Sequence, residues 1–399
     1  MDVETTHRFA RHWREIASTF LKLGFLSYGG PAILGVMQAE LQEKRNWLTK
    51  QDFLEGLSLV NVLPGAGATQ LGIFLGYTRG GWWGGLLAGL CFVLPAFFIM
   101  WVLTLAYSAF GSAPLLRQAL YGLSPVVLAI FFVAVYRLGK SAVSTWMQVG
   151  IAVSAVLIAL YTTLGIATIL LAAAAIGLFL FYSRRVGLSL VALVASSTAL
   201  TTSTSILPSA AGAMSGPYGV IDVGAFFFKV GALTFGGGLS MLAFVQEQVV
   251  NQFHWLTPQE FIDGLALGQL TPGPILMVAA YVGYKVAGFS GAATGAAAIF
   301  LPSFLLMLTI LPLFNKAKNL VWMRAMMKGI SPAVIGILLV SLIELTPHAV
   351  RDGFSGFIFA AAVGILLVWR TGTLRLMAAG ALIGLIRGRL QWLLGWRPG

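Results

Sequence analysis

Long apolar stretches alternate with short polar turns along the whole chain, and most approach the ~20 residues needed to cross a bilayer. They fall at about 16–37, 53–79, 82–107, 115–137, 146–162 and 164–182, and again at about 223–245, 260–286, 288–314, 323–345, 353–369 and 372–390. Residues 188–207 form a weaker candidate, apolar at first and then rich in Ser and Thr. No run alternates polar and apolar residues for the length of a barrel strand, so every element is predicted to be helical. Some stretches carry their own interruption: Gly29-Gly30-Pro31 in the first and Pro64-Gly65 in the second, then Gly236-Gly237-Gly238 and Pro272-Gly273-Pro274. Proline removes a donor from the helical ladder and glycine weakens it, so these helices are expected to break within the membrane into re-entrant pieces.

The interruptions belong to a duplication. Residues 20–31 read FLKLGFLSYGGP and residues 227–238 read FFKVGALTFGGG; each is followed by a polar loop ending in Trp-Leu-Thr, and sixteen residues separate Trp47 from Pro64 and Trp255 from Pro272. A shift of 207 positions, or 208 across the second loop, also places Glu15 on Asp222, Lys22 on Lys229, Glu40 on Glu247, Asp52 on Glu260, Glu55 on Asp263 and Arg117 on Arg324. Chance likeness between apolar segments aligns Leu and Ala, not scarce charges and prolines, so the chain is an internal repeat. The expected division is a first repeat at 1–205, a linker at 206–221 marked by Pro208, Gly212, Gly216 and Pro217, and a second repeat at 222–399.

Composition sharpens the class. Hydrophobic residues make up 58 % of the chain and charged residues 10 %, and the mean hydropathy is +0.89, far from the range of soluble domains. The chain is expected to be an all-α polytopic membrane protein. Its net charge of +12 comes from bases scattered through short loops, which fits positive-inside anchoring and points to no nucleic-acid partner. A lone Cys91 in an apolar run leaves no disulfide or thiolate metal site. No metal or cofactor is expected.

Charge bias gives the relation between halves. The loop before the second broken segment holds Lys44, Arg45 and Lys50, whereas its copy has no base between Lys229 and Lys285; after the third segment the bias reverses, with Lys316 and Lys318 in the second half only. Basic loops exchanged between equivalent positions are the mark of inverted-topology repeats. The basic tail, Arg387, Arg389 and Arg397, fits the cytoplasmic side better than the outside.

Helix ends left unpaired within a bilayer must line a cavity or meet a ligand. Converging N-termini favour an anion, so the candidate substrate-binding residues are those of the breaks: Gly29, Gly30, Pro64 and Gly65, with Gly236, Gly237, Pro272 and Gly273. Lys22 and Lys229 stand two turns before each Gly-Gly and add positive charge, or else snorkel to the membrane surface. Ser27, Thr234, Asn61, Gln269 and Thr271, with Thr69 and Gln70, supply neutral donors. Glu55 and Asp263 are candidates for proton coupling; Asp52 and Glu260, three residues earlier, read better as helix caps. No catalytic residue is expected, because no His joins a Ser or Asp constellation in the apolar segments, and no Gly-Lys-Ser/Thr ending marks a nucleotide loop.

The duplicated order of Gly-Gly, Trp, sixteen residues and Pro-Gly resembles the chromate ion transporter family in its long, two-domain form, over essentially the whole chain. The resemblance implies a secondary transporter of the inner membrane that exports chromate and confers resistance. The partners it implies are chromate or a sulfate-like oxyanion, the lipid bilayer, a coupled proton or counter-anion, and a second copy in a homodimer. Sulfate transport and an anion channel are the alternatives within transport; an intramembrane enzyme is disfavoured. Two departures bear on the equality of the halves: Ala66 stands where the second half has Pro274, and Pro31 where it has Gly238.

Overall fold

The computed structural model describes residues 3–27, 32–111, 113–162, 164–182, 218–234, 240–313, 321–369 and 371–393, and every regular element among them is a helix. The first half comprises α1 (Val3–Leu26), α2 (Ala32–Met37), α3 (Lys50–Val62), α4 (Gly67–Phe110), α5 (Pro114–Ala142), α6 (Trp146–Tyr161) and α7 (Ile166–Phe181). The second repeats it as α8 (Val220–Ala232), α9 (Ser240–Gln246), α10 (Pro258–Leu270), α11 (Val278–Ile310), α12 (Val321–Ala349), α13 (Gly353–Val368) and α14 (Thr373–Leu393). The linker and the 188–207 candidate lie outside the described residues. Among the described residues, four stretches are long and apolar enough to cross a membrane: Gly67–Phe110, Pro114–Lys140, Ile275–Ile310 and Ala325–Ala349.

The broken segments form as the sequence predicts. Helix α3 stops at Val62 and α4 begins at Gly67; α10 stops at Leu270 and a 3-10 turn, Ile275–Met277, leads into α11. Thr49 and Asp52 close a capping box at the start of α3, as Thr257 and Glu260 do for α10, so both acids satisfy backbone groups that the first turn leaves unpaired. One expectation is corrected: the stretch 38–52 is not all loop, because α2 continues as a π-helix over Gln38–Lys44 and α9 as another over Glu247–Gln252. The segments at 53–79 and 82–107 are separated as expected: the backbone leaves the helix at Gly80 and Gly81 and α4 folds back on itself, so that a Cβ on Gly84 would lie 2.5 Å from the Gly76 carbonyl and one on Gly85 3.0 Å from that of Ile73. Helix α11 doubles back likewise at Ala287 and Gly288, which brings Gly295 against Ala279. Gly81 and Gly288 take the positive φ that each reversal needs.

The halves are inverted. In the arms that follow the reversals, a Cβ on Gly85 of α4 would lie 3.3 Å from Leu308 of α11, and one on Gly89 would lie 2.6 Å from Phe304; further along α4, Trp101 packs on Phe289 at 4.9 Å between ring centroids. Numbers rise on one arm as they fall on the other, so these equivalent helices run antiparallel. An axis along the membrane normal would make them parallel; the twofold axis therefore lies in the membrane plane.

The fifth helix of each half packs on the last two helices of the other: α5 against α13 and α14, α12 against α6 and α7. Small residues allow it. Gly122 meets the backbone of Gly380 and Gly384, and its copy Gly329 meets Ala173 and Gly177, the close approach that membrane helices use in place of hydrophobic collapse. In the described part of the basic tail, Arg387 Nη2 donates to Asp352 Oδ2 at 2.7 Å and its guanidinium lies over Tyr121 at 4.4 Å, which ties the end of α14 to the start of α13 and partly neutralises its charge.

Candidate functional site where the breaks cross

At the breaks each half holds the other. The Gly65 N–H donates to the Thr234 carbonyl at 2.7 Å and the Gly273 N–H to the Ser27 carbonyl at 2.6 Å. Ser27 and Thr234 are copies, as are Gly65 and Gly273, so this is one contact made twice across the pseudo-twofold axis. Each satisfies a carbonyl at the open C-terminus of α1 or α8 with an N–H freed by the opposite break, the internal pairing that a bilayer interior demands.

The copies are unequal beyond that. The Ala66 N–H donates to Ser303 Oγ at 2.7 Å. Its copy Pro274 has no N–H, and the copy of Ser303 is Ala96, so acceptor and need vanish together. Gln70 folds back so that its amide donates to the Pro64 carbonyl at 2.6 Å. Three buried polar atoms at this level, Ser27 Oγ, Thr69 Oγ1 and Gln70 Oε1, have no partner among the described residues. In the second half the corresponding positions are closed: Thr234 Oγ1 donates to Val230 O at 2.7 Å, and Leu276 and Met277 replace Thr69 and Gln70.

The other candidates fall as follows. Lys22 and Lys229 lie on the exposed sides of α1 and α8, not buried beside the breaks. Gly29, Gly30, Gly236 and Gly237 are outside the described residues, as is the Asn61 side chain, although its backbone closes α3. Pro64 and Gln269 are half-buried and Pro272 is buried. Thr271 donates to Leu267 O at 2.8 Å and touches Met100 sulfur at 3.4 Å.

Glu55 and Asp263 differ sharply. Glu55 is half-buried and accepts from Gln51 at 3.4 Å on its own helix. Asp263 is only 5 % exposed; it accepts from the Tyr107 hydroxyl of the first half and from Gln259 of its own helix, both at 2.8 Å. Gln259 also reaches Ser124 at 3.3 Å and accepts from Arg351. Beside this group Lys285 pairs with Glu260 at 2.7 Å and Tyr281 donates to the Glu260 carbonyl at 2.9 Å. Asp263 thus sits in a buried bridge between halves through Tyr107, whose copy in the repeat is Phe314, a residue without a hydroxyl. Sequence reading missed Tyr107, Gln259 and Arg351: only Gln259 has a like copy, Gln51, and nothing local marks the other two.

At the opposite end Glu15 accepts from Trp47 Nε1 at 3.0 Å and from Arg79 Nη2 at 3.0 Å. These fix the first-half loop to α1 and to the α4 reversal. Glu40, in the π-turn, is held below the ordinary carboxylate range by the hydrogen bond from Lys44, with smaller help from Arg45 and Lys22. Lys44 and Arg45 both pair with it at 3.3 Å.

A family model described as chromate transporter matches the chain twice, at residues 14–178 and 221–385. The chain belongs to the chromate transporter family. A chromate transport protein of Cupriavidus metallidurans is 34 % identical over 94 % of this chain and 92 % of its own length. A probable chromate transport protein of Synechococcus elongatus is 31 % identical over 85 % and 86 %, and a chromate transport protein of Pseudomonas aeruginosa 30 % identical over 89 % and 87 %. No solved structure matches. Both family matches begin on a helix that leads into a crossing break, so the matched unit is the repeat itself.

Proposed function

We propose that this chromate transporter family protein is a secondary transporter that carries chromate out of the cell across the cytoplasmic membrane and thereby confers chromate resistance. The substrate is taken from the relatives' names and fits a neutral, hydroxyl-bearing crossing of broken helices, where a tetrahedral oxyanion meets donors without a fixed countercharge and can leave again. The observation that carries the reading is the reciprocal Gly65–Thr234 and Gly273–Ser27 contact: two broken helix pairs of opposite orientation share one level, with helix ends on both sides. Alternating access follows if the halves rock about that level. The energy source is the membrane potential, which favours exit of a divalent anion by ~2.3 kcal/mol per charge per 100 mV, with a proton at Asp263 acting on the conformation. The reading includes no catalytic step.

The test is uptake of radiolabelled chromate into everted vesicles containing the full chain, with sulfate as competitor. Saturable uptake that sulfate inhibits only at higher concentration is expected. Equal preference for sulfate would move the substrate to oxyanions in general, and flux without saturation would favour a channel.

A further inference from the structure

The two copies of the break do not share the oxyanion equally: we infer that it is held by the first-half copy alone, in a cradle made by Ser27, Thr69 and the first turn of α4. The inference rests on the oxyanion reading above and adds which residues bind.

Position comes first. Helix α1 and the first part of α4 run antiparallel: a Cβ on Gly80 would lie 2.8 Å from Ile16, and one on Gly72 lies 3.4 Å from Phe20. Continuing that pairing by two turns brings Ser27 to the level of Gly65 to Thr69. Both hydroxyls are fully buried, at 0 % exposure, and neither has a partner among the described residues. A buried hydroxyl without a partner costs free energy that a bound acceptor recovers.

The backbone supplies more donors at the same place. Ala66, the N-cap of α4, provides no side-chain cap, so the N–H groups of Gly67, Ala68 and Thr69 are those a helix start leaves open. Gly67 and Ala68 are half-exposed, and a Cβ on Gly67 would make only an ordinary contact, 3.5 Å from Val60. Two neutral hydroxyls and the N-terminus of the first arm of α4 offer an anion several donors at one place.

The second copy lacks each part. Pro274 has no N–H, the Met277 N–H is bonded to Pro274 O at 3.0 Å, Leu276 replaces Thr69, and the Thr234 hydroxyl is bonded to its own helix. It keeps the crossing and has lost the donors.

The experiment uses the purified full chain in proteoliposomes. Thr69→Val keeps shape and removes the hydroxyl; Ser27→Ala does the same at α1. Each is expected to raise the KM for chromate about tenfold, the loss of one hydrogen bond to a charged group, with the rate at saturation kept. Thr69→Ser should restore the wild-type KM, and Leu276→Val in the second copy should leave it unchanged. A wild-type KM in both Thr69→Val and Ser27→Ala overturns the cradle, as does an equal rise in Leu276→Val. Absence of chromate transport by the wild type, with Thr69→Val still weakening sulfate uptake, would overturn the substrate and leave the cradle standing.

Discussion

Ser303 and Ala66 show at the scale of single residues how a duplicated site drifts. A backbone N–H at residue 66 required an acceptor and has one; a proline at residue 274 requires none, and residue 96 is Ala. Removing the hydroxyl alone strands a buried N–H, so Ser303→Ala is expected to cost ~1–3 kcal/mol. Ala66 has φ of −75°, within the range of proline, and its copy Pro274 sits at −70° after a glycine that also has positive φ. Ala66→Pro added to Ser303→Ala should therefore recover most of the loss. Thermal unfolding in detergent measures both, and a double variant no more stable than Ser303→Ala would mean the hydrogen bond is not what the serine provides. Sequence alone marked the Ala66 and Pro274 departure but not its partner, because Ser303 lies 237 residues away. The same limit hid Tyr107 and Arg351, whose importance exists only where Asp263 is folded against them, whereas the capping acids Asp52 and Glu260 were legible because caps are local.

Among the elements, the breaks were the most legible features, since Pro-Gly acts on its own backbone wherever it occurs. The reversals at Gly80-Gly81 and Ala287-Gly288 were legible for the same reason, since a glycine takes the positive φ of a turn without strain. The exchange of α5 and α12 between halves was hidden, because glycines read alike whether they face lipid or another backbone. Gly329 and Gly364 separate these cases. A Cβ at Gly329 would strike the Ala173 carbonyl and the Gly177 backbone, whereas one at Gly364 of α13 meets nothing within 4 Å. Gly329→Ala is expected to destabilise by ~1–3 kcal/mol through overpacking, and Gly364→Ala to stabilise by ~0.5–1 kcal/mol through helix propensity. Equal melting temperatures for the two variants would contradict the placement of α12 on α7.

The whole molecule is two inverted halves joined by matched contacts at the breaks and, away from them, by a buried contact at Asp263. If transport is a rocking of halves, a buried bond between them holds the cycle in one state until it is released. Asp263 receives Tyr107 from the first half and Gln259 from the second, with Arg351 holding Gln259, and with Glu260, paired to Lys285, and the Tyr281 hydroxyl beside them. As a carboxylate it accepts both bonds and keeps this end closed. A proton on it takes away the charge and one acceptor site, which weakens the Tyr107 bond and lets the end open. The sign follows: the rate should rise as pH falls through the titration of Asp263. Asp263→Asn, fixed in the neutral form, should be fast and independent of pH, and Tyr107→Phe, which removes the donor from the other half, should behave alike. Glu55→Gln, at a half-buried carboxyl where Asp263 is buried, should keep the wild-type profile. Initial rates in proteoliposomes at a clamped membrane potential, taken across the neutral range, decide it. A wild-type pH profile in Asp263→Asn would remove the proton from this end of the molecule, and a flat one in Glu55→Gln would move it to the other.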